Sequence, residues 1–167
     1  GGLKGLGING INVTIPHKES VIPYLDTLDE NAKFIGAVNT IKLEDGTLKG
    51  YNTDGLGFLK SLKIDAQEEA KGKNIIILGA GGAARSIAIQ MAIEEAKSLT
   101  IANRTVERGM KLAEHINAKC KVKAVSLNDS SLIEYFKGAD IIINTTSVGM
   151  KDSDTPLFPY DYISDRH

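Results

Sequence analysis

The sequence predicts an α/β protein, with a doubly wound parallel sheet preceded by part of a smaller α/β unit. Three observations lead there. From residue 74 to residue 146, short apolar runs alternate with amphipathic stretches, the order that builds a parallel sheet with right-handed crossovers. The first of those runs, Asn74 to Leu78, leads straight into a glycine-rich turn. The polar stretch Ala66 to Lys73 shows no apolar period and separates this region from a mixed pattern before it. The expected division is into residues 1–70 and residues 71–167.

In chain order, Ile11 to Ile15 reads as a strand ended by Pro16. His17 to Leu25 reads as helical, although it contains Pro23, and Asp29 to Phe34 begins another helix. Val38 to Leu43 and Leu48 to Tyr51 read as strands joined by the turn Glu44-Asp45-Gly46. Thr53 or Asp54 then caps a helix running through Phe58, Leu59 and Leu62. Beyond the junction, Asn74 to Leu78 is continuously apolar at its centre, as in a strand covered on both faces. Between Ala83 and Glu95, Ala84, Ile87, Ala88, Met91 and Ala92 share one helical face. Leu99 to Ala102, Val122 to Val125 and Asp140 to Thr146 supply further strands, and Glu107 to Ile116 and Ser131 to Phe136 further helices.

Composition narrows the class of function. The chain is 42% hydrophobic and 25% charged with a net charge of -1, which fits a soluble globular protein and lacks the basic footprint of a nucleic-acid binder. Runs such as Ile75 to Leu78 are far too short to span a bilayer. No basic start followed by an apolar core marks an export signal, so a cytoplasmic location is expected. Cys120 is the single cysteine and can close no internal disulfide; it reads as a surface or half-buried thiol. Neither histidines nor carboxylates sit at ligand spacing, so no metal is expected.

Gly79-Ala80-Gly81-Gly82-Ala83-Ala84-Arg85 matches G-x-G-x-x-A between an expected strand and an expected helix. The first glycine permits the tight turn, the second lets the backbone approach a pyrophosphate, and the small third residue lets helix and strand pack. N–H groups at the helix start face the anion. The context is Rossmann-like, although methyltransferases that bind S-adenosylmethionine use a similar turn. The end of the next strand discriminates further. An NAD site usually carries an acidic residue there for the ribose, whereas this chain has Asn103-Arg104-Thr105. A guanidinium binds a 2′-phosphate through charge-assisted hydrogen bonds, so NADP is expected over NAD.

Three polar clusters precede the junction. Lys18 ends Asn12-Val13-Thr14-Ile15-Pro16-His17-Lys18, Asn39 follows Gly36-Ala37-Val38, and Asp54 lies in Asn52-Thr53-Asp54-Gly55. Each has a bland reading, Lys18 as a snorkelling surface lysine and Asp54 as a helix cap. Spacing alone does not bring them together.

Taken in order, the segments at 12–18, 36–40, 50–55, 79–85 and 103–105, with Asn144-Thr145-Thr146-Ser147-Val148-Gly149-Met150, closely resemble the shikimate dehydrogenase family over nearly the whole chain. The resemblance implies a substrate-binding region before the junction and an NADP-binding region after it. Lys18 resembles the catalytic lysine and Asp54 its carboxylate partner, both also touching substrate. Thr14 and Asn39 resemble the contacts to substrate hydroxyls. Gly79 to Arg85 resembles the pyrophosphate loop, with Gly79, Ala80, Gly81, Gly82 and Ala83 its implied cofactor contacts, and Asn103, Arg104 and Thr105 resemble the 2′-phosphate site. Thr145, Thr146, Ser147, Val148 and Met150 resemble the loop at the nicotinamide end. His17 is part of its motif but is assigned no chemistry. The implied reaction is the reversible NADPH-dependent reduction of 3-dehydroshikimate to shikimate, on the route to chorismate and the aromatic amino acids. The implied partners are small molecules only, with a monomer or homodimer, no nucleic acid and no membrane.

Other readings share some of these features. A quinate-accepting or dual-specificity relative shares most of the motifs. A methylenetetrahydrofolate dehydrogenase shares the two-region plan but not the combined lysine and Asn-Thr-Asp-Gly series. A nucleotide-binding module without turnover is the non-enzyme alternative. The resemblance also implies a serine-containing segment ahead of Gly1 and a glutamine-containing helix after His167. The chain therefore reads as truncated at both ends, and these 167 residues alone are expected to bind NADP(H) but turn over little substrate.

Overall fold

The computed structural model describes residues 2–116, 120–165 and 167; Gly1 and Arg166, near the two ends weighed above, lie outside the described residues. The chain opens with a single helical turn, α1 (Gly2–Gly5), followed by β1 (Gly10–Asn12), β2 (Thr27–Leu28) and α2 (Glu30–Ile35). A hairpin of β3 (Thr40–Glu44) and β4 (Thr47–Tyr51) leads to α3 (Asp54–Ile64). The first sheet has the order β1-β3-β4-β2, with only the β2–β4 pair parallel. Positive φ at Asp45 (48°) and Gly46 (76°) gives the hairpin a two-residue turn whose twist matches that of its strands. Asp29 caps α2 by accepting from the Ala32 N–H at 2.7 Å, and Gly36 ends it in the left-handed conformation.

The segment 17–25 departs from the expected helix. It forms turns and one 3-10 turn, Ile22–Tyr24. Pro23 explains this: it has no N–H to donate and disfavours α geometry at Ile22. The strand expected to reach Ile15 ends at Asn12, before a turn in which the His17 N–H bonds the Thr14 carbonyl. Strand β2 was not expected, because two residues show no period.

The second half is a four-stranded, fully parallel sheet. Its strands are β5 (Asn74–Leu78), β6 (Ser98–Asn103), β7 (Lys121–Ser126) and β8 (Ile141–Asn144), in the order β7-β6-β5-β8. The connecting helices are α4 (Gly82–Ile93), α5 (Val106–Ile116) and α6 (Leu132–Gly138). The α/β class and the doubly wound parallel arrangement are as expected. Strand β5 is buried on both faces by alternation. Ile75 and Ile77 pack with Ala84, Ile87, Ala88 and Met91 of α4, while Ile76 and Leu78 pack with Leu132 and Phe136 of α6. Helix α5 buries Gly109, Leu112, Ala113 and Ile116, a single face at helical spacing. The expected fourth strand stops at Asn144, because its side-chain oxygen accepts from the Thr146 N–H at 3.0 Å and turns the chain.

From β5 the chain moves to β6 and β7 on one side, then returns to β8 on the other. The carboxyl ends of β5 and β8 therefore flank a topological switch point, where open α/β sheets bind ligands.

Candidate active site

The turn after β5 opens on that switch point. Gly79 has φ +110°, and a Cβ there would lie 2.6 Å from Thr145 Oγ1, so only glycine fits. Thr145 is itself fixed, its hydroxyl donating to the Leu78 carbonyl at 2.7 Å. The loops after β5 and β8 are thus in direct contact. Gly81 caps α4, and no atom lies within 4 Å of where its Cβ would be. After β8, Asn144 accepts from the Thr146 hydroxyl and donates to the Val148 carbonyl, while Ser147 and Met150 are exposed. Beyond β6, Asn103 donates to the Thr105 carbonyl at 2.7 Å, and Arg104 and Thr105 are exposed.

The polar residues of the first half meet in space. Lys18 Nζ lies 2.7 Å from Asp54 Oδ2, with the two side chains 14% and 21% exposed, so the pair is shielded yet reachable. Asn39 Nδ2 donates to Asp54 Oδ1 at 2.8 Å and to Thr53 Oγ1 at 3.0 Å. Three elements supply these groups: the turn after β1, the start of β3 and the first turn of α3. Asp54 is the first residue of α3, and Thr53 is its N-cap without a side-chain cap bond, so the Asp54 carboxylate serves the lysine and Asn39. Thr14 is exposed on the turn that leads from β1 to Lys18.

The cluster abuts the glycine turn. A Cβ at Gly82, the first residue of α4, would lie 3.4 Å from Lys18 Cβ and 3.4 Å from Ala37 Cβ. The lysine stem therefore rests on the helix that the glycine turn begins.

Four residues to which the sequence reading gave no role in joining the halves tie them together. Ser86 of α4 and Asn52 are buried and bonded at 2.8 Å. Arg85 donates to the Ile35 carbonyl at 3.3 Å, and His115 Nε2 lies 2.8 Å from the Phe34 carbonyl with its ring against Phe34. Ser86 and Gln90, polar residues one turn apart on a largely apolar helix, were a signal; Asn52 and Arg85 lay in motifs read for other roles, and His115 carried none. Burial pushes the Cys120 thiol above its ordinary range, which argues against a nucleophile. Among the described residues, no group of three or more His, Cys, Asp or Glu could hold a metal ion, and no helix is long and apolar enough to cross a membrane.

Family comparison adds to this geometry. Residues 1–41 match the shikimate dehydrogenase substrate binding domain, and residues 61–152 match the shikimate/quinate 5-dehydrogenase family. The chain belongs to the shikimate/quinate dehydrogenase family. A shikimate dehydrogenase (NADP(+)) of Moorella thermoacetica is 51% identical over 162 residues, covering 95% of this chain and 55% of that protein. The crystal structure of shikimate dehydrogenase from Aquifex aeolicus superposes with a TM-score of 0.87 at 46% identity, over 99% of this chain and 59% of the other. A Listeria monocytogenes shikimate 5-dehydrogenase in complex with shikimate and NAD gives a TM-score of 0.85 at 36% identity, over 99% and 60%. The chain spans about half the length of the curated shikimate dehydrogenases it matches.

Proposed function

We propose that this chain carries the catalytic pair and the nucleotide site of an NADP-dependent shikimate dehydrogenase. In this reading 3-dehydroshikimate is reversibly reduced to shikimate, on the route to chorismate and the aromatic amino acids. The observation that carries the reading is the Lys18–Asp54–Asn39 cluster, packed against Gly82 at the head of the glycine-turn helix. Family membership supports the same chemistry. Residues 1–70 are assigned to substrate and residues 71–167 to nucleotide. A cytoplasmic enzyme, monomeric or homodimeric, is the setting this reading implies.

The residues fit the cofactor. Gly81 leaves its backbone open, and the first N–H groups of α4 lack intrahelical acceptors, which suits a pyrophosphate. Gly79, Ala80, Gly82 and Ala83 complete that loop. Arg104, exposed beyond β6 between Asn103 and Thr105, suits a 2′-phosphate, whereas a carboxylate would repel it. Thr145, Thr146, Ser147, Val148 and Met150 line the nicotinamide end. When bound, NADPH supplies the hydride that the ketone carbon accepts. Lys18 gives a proton from Nζ to the ketone oxygen and takes it back in the reverse direction. Asp54 orients Lys18 and, with Thr14 and Asn39, receives the substrate hydroxyls.

The test is NADPH oxidation by 3-dehydroshikimate in the full-length protein, with quinate oxidation measured beside it. Lys18→Ala is expected to lower kcat by ~10²–10⁴-fold, with a much smaller change in KM. Asp54→Asn is expected to change both. Near-normal kcat in Lys18→Ala at every pH would reduce the lysine to a binding residue.

A further inference from the structure

The catalytic carboxylate and the glycine turn lie in different halves of the chain, so something must set one against the other. The shielded polar link between the halves runs through Ser86 and Asn52. Ser86 is fully buried on the first turns of α4, four residues after Gly82. Its hydroxyl accepts from the Gly55 N–H at 2.8 Å and donates to Asn52 Oδ1 at 2.8 Å. Asn52 Oδ1 also accepts from the Asp54 N–H at 3.0 Å, and Asn52 Nδ2 donates to the Ala37 carbonyl at 3.0 Å. The next residue, Val38, bonds the Lys18 carbonyl through its N–H at 2.7 Å. The backbones that carry Asp54, Asn39 and Lys18 are therefore all tied, directly or at one remove, to Asn52. Asn52 in turn is tied to α4 through one hydroxyl.

We propose that Ser86 is a positioning residue, acting through Asn52 to set the Asp54 carboxylate against the nucleotide turn. This rests on the dehydrogenase reading for its kinetic consequence, but not for its structural one. Buried hydrogen-bonding groups are costly to leave unpaired, so the Gly55 N–H and the Asn52 oxygen hold the serine hydroxyl in one place, and the Asp54 N–H holds that same oxygen. Helix α4 begins at the cofactor turn, so a displacement of α3 relative to α4 moves Asp54 relative to the bound nucleotide. Misplacement of about 1 Å costs up to roughly 10²-fold in rate. Ser86 is fully buried, so it acts through its neighbours.

The experiment has two arms. In the first, nuclear magnetic resonance of the 167-residue chain follows the Asn39 side-chain amide, which donates to Asp54. Ser86→Ala is expected to shift that resonance and to speed hydrogen exchange at the Gly55 and Asp54 N–H groups. Ser86→Thr, which keeps the hydroxyl, is expected to restore both. In the second arm, kcat is measured in the full-length enzyme. Ser86→Ala is expected to lower kcat about tenfold, with the nucleotide Kd changed less than about twofold. In an Asp54→Asn background the same substitution is expected to lower kcat less than about twofold, because its route of action has been removed. A merely stabilising serine would cost the same in both backgrounds, and that result overturns the proposal. An unmoved Asn39 resonance overturns it whether or not the enzyme turns over, whereas a full-length protein that is inactive on 3-dehydroshikimate refutes only the dehydrogenase reading. If Ser86→Ala does not fold, Ser86→Cys, which keeps the volume and loses hydrogen-bond strength, takes its place with the same expectations.

Discussion

Replacing Gly79 by alanine adds one methyl group at the point where the loops after β5 and β8 touch. Two costs follow from the geometry. The backbone is held at φ +110°, a conformation that costs an L-residue about 1–3 kcal/mol. The new Cβ would also lie 2.6 Å from Thr145 Oγ1, which must leave its 2.7 Å bond to the Leu78 carbonyl. Losing that bond costs about 0.5–1.5 kcal/mol. The expected destabilisation is therefore about 2–4 kcal/mol, read as a lower urea midpoint at unchanged slope. Thr145→Ala removes the clash and the bond together. The double variant should then fall short of the sum of the single ones by about 1 kcal/mol, since both lose the same bond. Strict additivity, or a Gly79→Ala effect within about 0.5 kcal/mol of zero, would show that the turn is neither strained nor braced by Thr145.

Three further expectations can be checked directly. Arg104→Ala should weaken NADP binding by about 1.5–3 kcal/mol, the worth of a charge-assisted contact, and leave NAD binding nearly unchanged; equal losses by calorimetry would remove Arg104 from cofactor choice. Cys120 should be alkylated more slowly in the native chain than in urea, with a higher midpoint in its pH–rate profile, because burial raises its thiol. Its contribution to stability is then complete below the unfolded thiol's pKa and is lost as pH rises through the folded value, and a native midpoint at or below the unfolded one would contradict this. Phe136, fully buried between β5 and Phe158, should cost about 3–5 kcal/mol when replaced by alanine, and a loss under about 1 kcal/mol would mean that α6 is not part of the core.

The parallel half was legible because burial and period coincide there. Ile75 to Leu78 is apolar on every residue because both faces are covered, and the glycine turn follows it without a break. The first half was less legible, for local reasons. Pro23 broke a segment whose apolar residues looked helical, and β2 is too short to have a period. The Lys18–Asp54 pair spans 36 positions, so its meeting came from family resemblance and then from the fold, never from spacing. The contacts of Asn52, Arg85 and His115 escaped notice because each meets a backbone or side-chain partner that only the folded chain brings near.

Helices α3 and α4 meet at Gly55, where even a Cβ would lie 2.7 Å from the Ser86 carbonyl oxygen. Packed helices slide past one another by small adjustments of the side chains between them. At Gly55 the α3 side contributes no side chain, so its backbone rests directly on the Ser86 carbonyl, the Ser86 hydroxyl and Gln90 Cβ. Any side chain at position 55 would therefore push α3 away from α4 and carry Asp54, one residue earlier, with it.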